Sequence, residues 1–345
     1  MNQRRSIPRR RFLTTATLAL GAAPAIARAA AKAEFSFAFA TVAPRGSSFH
    51  QTFQSMIQKW KEASGGRVNV TLYPGTQGGE PAIVRRMGIN QLQGAMLTAG
   101  GLAQIDRSPT ALQLMPMVFN DWNEVDHVRD IMRPRLEAAL NQKGYEVLFW
   151  GDAGWARWFT KKPVTRPGDI KPLKIYADAG DVASLEIARS YYQPVPLEPD
   201  KIFTALSTGL IEGVALPAFL ANFTQIATVT GHMLDLKYVP ITGAMVVAAK
   251  SWNRLPEDLR KTLRTIADET GAEVRTNSRA EDDAAIGVMQ SKQGLKITQA
   301  TPEIIAEWRQ VISGAYPAIR DKAVPAPLFD EVMALVKDFR AKAAA

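Results

Sequence analysis

The sequence predicts an α/β protein of about two domains. Short runs with period-two alternation recur along the chain, and segments of helical period separate them. The chain has 345 residues, about twice the usual domain length of roughly 150. Apolar residues make up 46% and charged residues 22%, a globular balance with ample material for a core. Cysteine is absent, which excludes disulfides, thiolate metal sites, cysteine nucleophiles and lipid-modified cysteine anchors.

The elements follow in order. Glu34 to Val42 alternates and then turns small and apolar, predicting a first strand. Pro44 to Ser48 breaks it and offers a serine cap to a helix ending near Ala63, with Phe49, Phe53, Met56, Ile57 and Trp60 on one face. Ser64-Gly65-Gly66 stops that helix, and Arg67 to Tyr73 alternates strictly as a second strand. Gly75 to Gly79 reads as turn chemistry before a helix opened by Glu80-Pro81; backbone N–H groups there could also hold an anion. A short strand over 93–98, a helix start at Ala99-Gly100-Gly101, a helix over 128–143 and a strand over 145–150 complete the first half.

The second half repeats the theme. Strands are predicted over 173–177, 193–197, 211–216 and 244–249, with helices after Gly180, over 200–208 and from Pro217. One long helix runs from Pro256 to about Gln290, with Glu257 and Asp258 complementing its dipole and Leu255, Leu259, Leu263 and Ile266 as its stripe. Asp282-Asp283 within it reads as a solvated face. Two further helices occupy about 302–320 and 327–343.

Charge is concentrated at one end. Residues 1–33 hold seven basic residues and no acid, which leaves the remainder with 35 basic and 33 acidic residues. The overall +9 therefore carries no footprint for nucleic acid. Met1 to Arg11 is basic, Phe12 to Ala27 is apolar and small, and small-x-small triplets follow, which is the order of a secretory signal. Arg9-Arg10-Arg11-Phe12-Leu13 resembles the twin-arginine export motif. Cleavage is expected after Ala33, with Ala27 and Ala29 as alternatives, and a periplasmic mature protein follows.

Catalytic chemistry is missing from the sequence. His50, His127 and His232 have no partner at metal-ligand or catalytic spacing and read as core or surface residues. No Gly-x-Ser-x-Gly elbow and no P-loop occurs. No cofactor, no metal and no enzymatic activity are expected, and a binding protein is favoured.

Six motifs in order then resemble one family, the periplasmic solute receptors of tripartite ATP-independent (TRAP) transporters, the DctP-like group. They are Thr41 to Ser47, Gly65 to Val68, Lys161 to Val164 with Gly168 to Ile170 and Leu173 to Ile175, Pro194 to Leu197, Phe203 to Gly209 with Ile211 to Gly213, and Ser251 to Arg260. The resemblance implies a type II periplasmic-binding-protein clamshell. Its expected divisions are 34–154 with about 244–270 as lobe I, 155–243 with about 271–300 as lobe II, and 301–345 as C-terminal helices packed on both. It also implies a ligand cleft, hinge closure and delivery to a membrane permease driven by an ion gradient.

Two positions depart from the family. Where members carry a carboxylate-gripping arginine after the "LKI" strand, this chain has Tyr176. Where they carry a polar run, it has Val214-Ala215-Leu216-Pro217. A buried carboxylate without a cation is costly. The expected ligand is therefore apolar, or at least not a simple dicarboxylate. Thr41, Arg45, Trp155, Arg157, Tyr176, Leu216, Pro217 and Phe219 are the candidate ligand-binding residues, with Arg157 or Arg45 as alternative anion clamps. Trp158 is expected to add apolar surface near the same cleft, whereas Phe159 and Phe223 read as core. A subgroup resemblance through Gly154-Trp155 and Tyr176 implies a tetratricopeptide-repeat partner, and a non-catalytic protein–protein adaptor is the other alternative.

Replacing Arg9 and Arg10 together by lysine is expected to leave full-length precursor in the cytoplasm, read by fractionation. The exported wild type is expected to begin at Glu34 by intact mass.

Overall fold

The computed structural model describes residues 33–343. The export segment, with its cleavage positions at Ala27 and Ala29, lies outside the described residues.

The first βα units form as the spacing predicts. Strand β1 (Phe35–Thr41) leads into α1 (Ser48–Ala63), where the Ser47 side chain accepts from the His50 N–H. Strand β2 (Val68–Pro74), α2 (Glu80–Gly88), β3 (Gly94–Thr98) and α3 (Ala99–Leu102) follow. Next, α4 (Trp122–Gln142) starts six residues earlier than its apolar period suggests. Asp121 accepts from the N–H groups of Asn123 and Glu124 and so caps a turn that hydropathy alone does not mark.

The largest departure concerns two strands. The expected strand over 145–150 is the first part of β4 (Tyr145–Thr160), 16 residues long. After it come α5 (Pro167–Ile170), β5 (Lys174–Asp178), α6 (Val182–Ala188), β6 (Gln193–Leu197), α7 (Ile202–Thr208), β7 (Gly213–Pro217), α8 (Ala218–Phe223) and α9 (Ile226–Thr230). The expected strand over 244–249 is the last part of β8 (His232–Ala248), 17 residues long. Gly151 to Gly154 reads as a break in sequence. In the fold, register shifts at Asp152/Trp155 and Ala156/Trp158 absorb it, and β4 continues.

These two strands are the spine of a nine-stranded sheet ordered β2-β1-β3-β8-β4-β7-β5-β6. The C-terminal part of β8 pairs with β3, and the C-terminal part of β4 pairs with β7. The two ends of the sheet are thus joined by β4 and β8, which run antiparallel through both. Strand β9 (Lys296–Gln299) adds to the N-terminal part of β8 and is too short and polar to read from sequence.

Between β8 and β9 lie α10 (Ala249–Trp252) and α11 (Glu257–Gln293), 37 residues long and stopped by Gly294 in the left-handed region. The buried positions of α11 run Leu259, Leu263, Ala267, Thr270, Gly271, Val274, Ser278, Asp282, Ala285 and Met289, a continuous stripe of helical period. Trp60 of α1, fully buried, donates its indole N–H to the Leu263 carbonyl at 3.0 Å. The C-terminal α12 (Pro302–Ser313), α13 (Tyr316–Lys322) and α14 (Ala326–Ala343) tie back through Trp308 to the Thr165 carbonyl, Tyr316 to the Pro116 carbonyl and Arg340 to Glu124. Among the described residues, no helix is long and apolar enough to cross a membrane.

Backbones crowd where β3 meets β8. A Cβ on Gly243 would lie 2.1 Å from the Leu97 carbonyl oxygen. Gly243→Ala is expected to destabilise by at least about 2 kcal/mol, lowering the urea midpoint with an unchanged m-value.

Candidate functional site

Parallel pairing places β5 beside β7, with Ile175 opposite Gly213, while Arg157 and Ala156 of β4 sit opposite Leu216 and Pro217. This register gathers Tyr176, Leu216 and Phe219 into one apolar cluster with Ala43 and Phe49. The Phe49 and Phe219 rings lie 5.4 Å apart and join α1 to α8. Buried Thr41 ends β1, and its hydroxyl accepts from the Ala43 N–H at 3.1 Å. Arg45 is exposed in the following turn.

The two tryptophans of β4 near this register go elsewhere. Trp155 is buried in a separate cluster against Trp122, at 5.0 Å, and does not join Tyr176. Trp158 packs with Tyr238 and Trp308 in a third cluster. Phe159 is core as expected. Phe223 is not: it is 40% exposed, because α8 ends at that residue.

Arg157 is 2% exposed and already paired. Its Nη1 donates to Asp282 at 2.7 Å and to the Trp155 carbonyl at 3.2 Å, and its Nε donates to Asp235 at 2.8 Å. Asp283 lies 3.5 Å from Nη2. The expectation of a solvated Asp282 is therefore overturned, since this residue is 1% exposed; only Asp283 faces solvent. Asp282 also accepts from the backbone N–H groups of Trp155 and Phe219, both at 3.1 Å. The helical period places it on the inward stripe of α11, a signal that was readable had the stripe been extended past Ile266. Gly154 makes the approach possible: it has φ +97°, and a Cβ there would lie 2.4 Å from the Asp282 carboxyl carbon.

Next to Tyr176 the lining is acidic. Glu80 accepts from the N–H and hydroxyl of Thr98, at 2.5 and 2.7 Å. Burial, opposed by those hydrogen bonds, raises its pKa above the ordinary carboxylate value. Burial and then the neighbouring Asp181 charge raise Asp178 likewise. The Tyr176 hydroxyl is pushed far up by burial and then by the charges of Asp178, Glu198 and Glu80, so it stays protonated. Glu80, Thr98, Gln113, Asp178, Arg107 and Lys322 are among the residues lining a cavity of about 310 Å³ between α2, α3 and the loop after β5. That loop closes on the start of α2, where a Cβ on Gly180 would lie 2.6 Å from Pro81. Sequence reasoning missed Glu80, Gln113 and Asp178 because each reads as an isolated polar residue. Gly75 and Gly78, with φ +61° and +82°, serve the turn before α2.

The histidines take structural places. His50 accepts the Gly46 N–H on Nδ1 at 3.1 Å, and His127 stacks on Phe339. Among the described residues, no group of acidic residues and histidines is placed to hold a metal ion.

Over residues 39–322 the chain matches the family described as bacterial extracellular solute-binding protein, family 7, DctP. The chain belongs to this family. The C4-dicarboxylate-binding periplasmic protein DctP of Rhodobacter capsulatus is 23% identical over 84% of this chain and 86% of its own length. A TRAP periplasmic solute-binding protein from Shewanella oneidensis, solved with bound succinate, superposes with a TM-score of 0.81 at 18% identity, covering 88% of this chain and 100% of its own. One from Sulfitobacter, with bound β-D-galacturonate, gives 0.79 at 14% identity over 88% and 99%. The fold is thus the type II periplasmic-binding clamshell. As a member of family 7, the protein is a solute-binding protein, a class that binds rather than transforms its solute.

Asp282→Ala would leave Arg157 buried beside only its outer partners and strip two backbone N–H groups of their acceptor. It is expected to cost about 3–5 kcal/mol in urea unfolding, and Asp282→Asn less.

Proposed function

We propose that this receptor is exported through its twin-arginine signal, is cut after Ala33, and captures a small organic ligand that is not a simple dicarboxylate. The two sheet ends, 34–154 with about 244–270 and 155–243 with about 271–300, act as lobes that close over the ligand, with 301–345 packed on both. The loaded receptor delivers to a membrane permease driven by an ion gradient. On the subgroup resemblance, a tetratricopeptide-repeat protein is an additional partner.

One observation carries the ligand assignment: Arg157, the cross-strand partner of Leu216, spends Nε and Nη1 on Asp235, Asp282 and the Trp155 carbonyl, and its Nη2 lies 3.5 Å from Asp283. Pulling it toward a ligand carboxylate would leave Asp282 buried without its cation, at a cost of about 3–5 kcal/mol. That is roughly two to four powers of ten in affinity. Arg45 offers no better clamp, because it sits in the turn after β1 and does not line the cavity that Glu80 and Asp178 share. At the position of the family's arginine, Tyr176 feels three carboxylates that would repel an anion. The apolar faces of Tyr176, Leu216, Phe219 and Phe49 suit the uncharged part of a ligand.

Native mass spectrometry of the exported protein, followed by identification of whatever denaturation releases, tests this directly. The expected molecule carries at most one carboxylate and is retained by Arg157→Lys. A released dicarboxylate, or calorimetric binding of succinate that Arg157→Ala abolishes, would overturn the ligand assignment.

A further inference from the structure

The cavity beside Tyr176 has two separated sets of charge. Glu80, Asp178 and Asp181 form one set, and the first two act on the Tyr176 hydroxyl just outside the lining. Arg107 and Lys322 form the other, joined because Arg107 Nη2 donates to the carbonyls of Asp321 and Lys322 at 2.5 and 2.6 Å. Among the described residues, no salt bridge connects the two sets. Opposite charges that line one cavity without pairing leave both fields open to a ligand.

A second observation points to an occupant. Gln113 is 8% exposed and lines this cavity. Its Oε1 accepts from the Thr242 N–H at 3.1 Å, which fixes the amide plane. Its NH₂ group makes no hydrogen bond among the described residues, and the cavity is the open space against the side chain. The amide N–H groups are therefore left without a protein partner at the edge of the cavity, where a ligand oxygen can accept from them.

We propose that the cavity binds the zwitterionic end of a small molecule. Its ammonium lies toward Glu80 and Asp178, and its carboxylate toward the Gln113 amide and the Arg107–Lys322 pair. Such a ligand is net neutral, so it meets no repulsion from the acidic set and draws on both. Its apolar remainder extends past the acidic set toward Tyr176. A dication would gain the acidic set but leave Gln113 unmatched and face Arg107; a dianion would meet the reverse. This inference rests on the receptor reading above and specifies the ligand class for the same cleft.

The test uses the exported protein, freed of bound material by unfolding, dialysis and refolding. Thermal shift and calorimetry follow with L-leucine and glycine betaine as zwitterions, succinate as dianion, putrescine as dication and benzoate as apolar monoanion. A zwitterion is expected to bind, with Glu80→Gln and Asp178→Asn each weakening it at least tenfold, and Gln113→Leu weakening it several-fold. Two acidic variants are used because Glu80 also holds Thr98, and each variant's own melting temperature reports whether it folds. Binding of succinate, putrescine or benzoate without either zwitterion overturns the proposal and leaves the receptor reading intact. Zwitterion binding that neither acidic variant changes also overturns it. If folded protein binds none of the five, the proposal fails, and identification of the released native ligand decides separately whether the receptor reading stands.

Discussion

The buried pair between Arg157 and Asp282 is the constraint on which the rest of the site depends. Asp282 comes from the long helix, Arg157 from the spine strand, and the same carboxylate holds the N–H of Phe219 at the start of α8 and the N–H of Trp155 at the bulge. One side chain therefore fixes where β4 bends, where α8 begins and how α11 lies across both. Arg157 is consumed in doing so. An arginine this desolvated cannot also be a ligand clamp, because separating the pair costs more than a new ion pair in a cleft returns.

Spending that arginine in a buried pair leaves the family's fold intact. The sheet order, the two long strands and the spanning helix superpose on relatives solved with succinate and galacturonate. This chain carries Tyr176 on β5 and Leu216 and Pro217 on β7, with the acids Glu80 of α2 and Asp178 of β5 acting on Tyr176. Backbone architecture supplies the closing cleft; a handful of side chains sets the sign of the charge that can enter it.

Most of the fold was legible because its signals are local. Ser47, Gly65-Gly66 and Gly209 mark helix ends by the chemistry of capping and the left-handed region. The alternation of Val68 to Tyr73 and the stripe of α11 declare their own periods. The through-running strands were not legible. Gly151 to Gly154 looks like a stop, and only pairing with β8 on both sides of the bulge keeps β4 extended. Pairing is a long-range interaction, and a period-two pattern broken by glycines gives no hint of it.

The candidate site divides along the same line. Composition, the N-terminal order of charge and apolar residues, the absence of cysteine, and the six ordered motifs determined the class of protein and its lack of catalytic chemistry. What only the tertiary structure decided is which charges are free and which are spent. Asp282 and Asp283 are neighbours in sequence with identical side chains, yet one is buried under Arg157 and the other faces water, because a helix turns 100° per residue. Trp155 left the expected cleft for a different cluster, while Glu80, Gln113 and Asp178, far apart in the chain, came to line one cavity. Electrostatic environment depends on distance in space, and only the folded chain sets that distance.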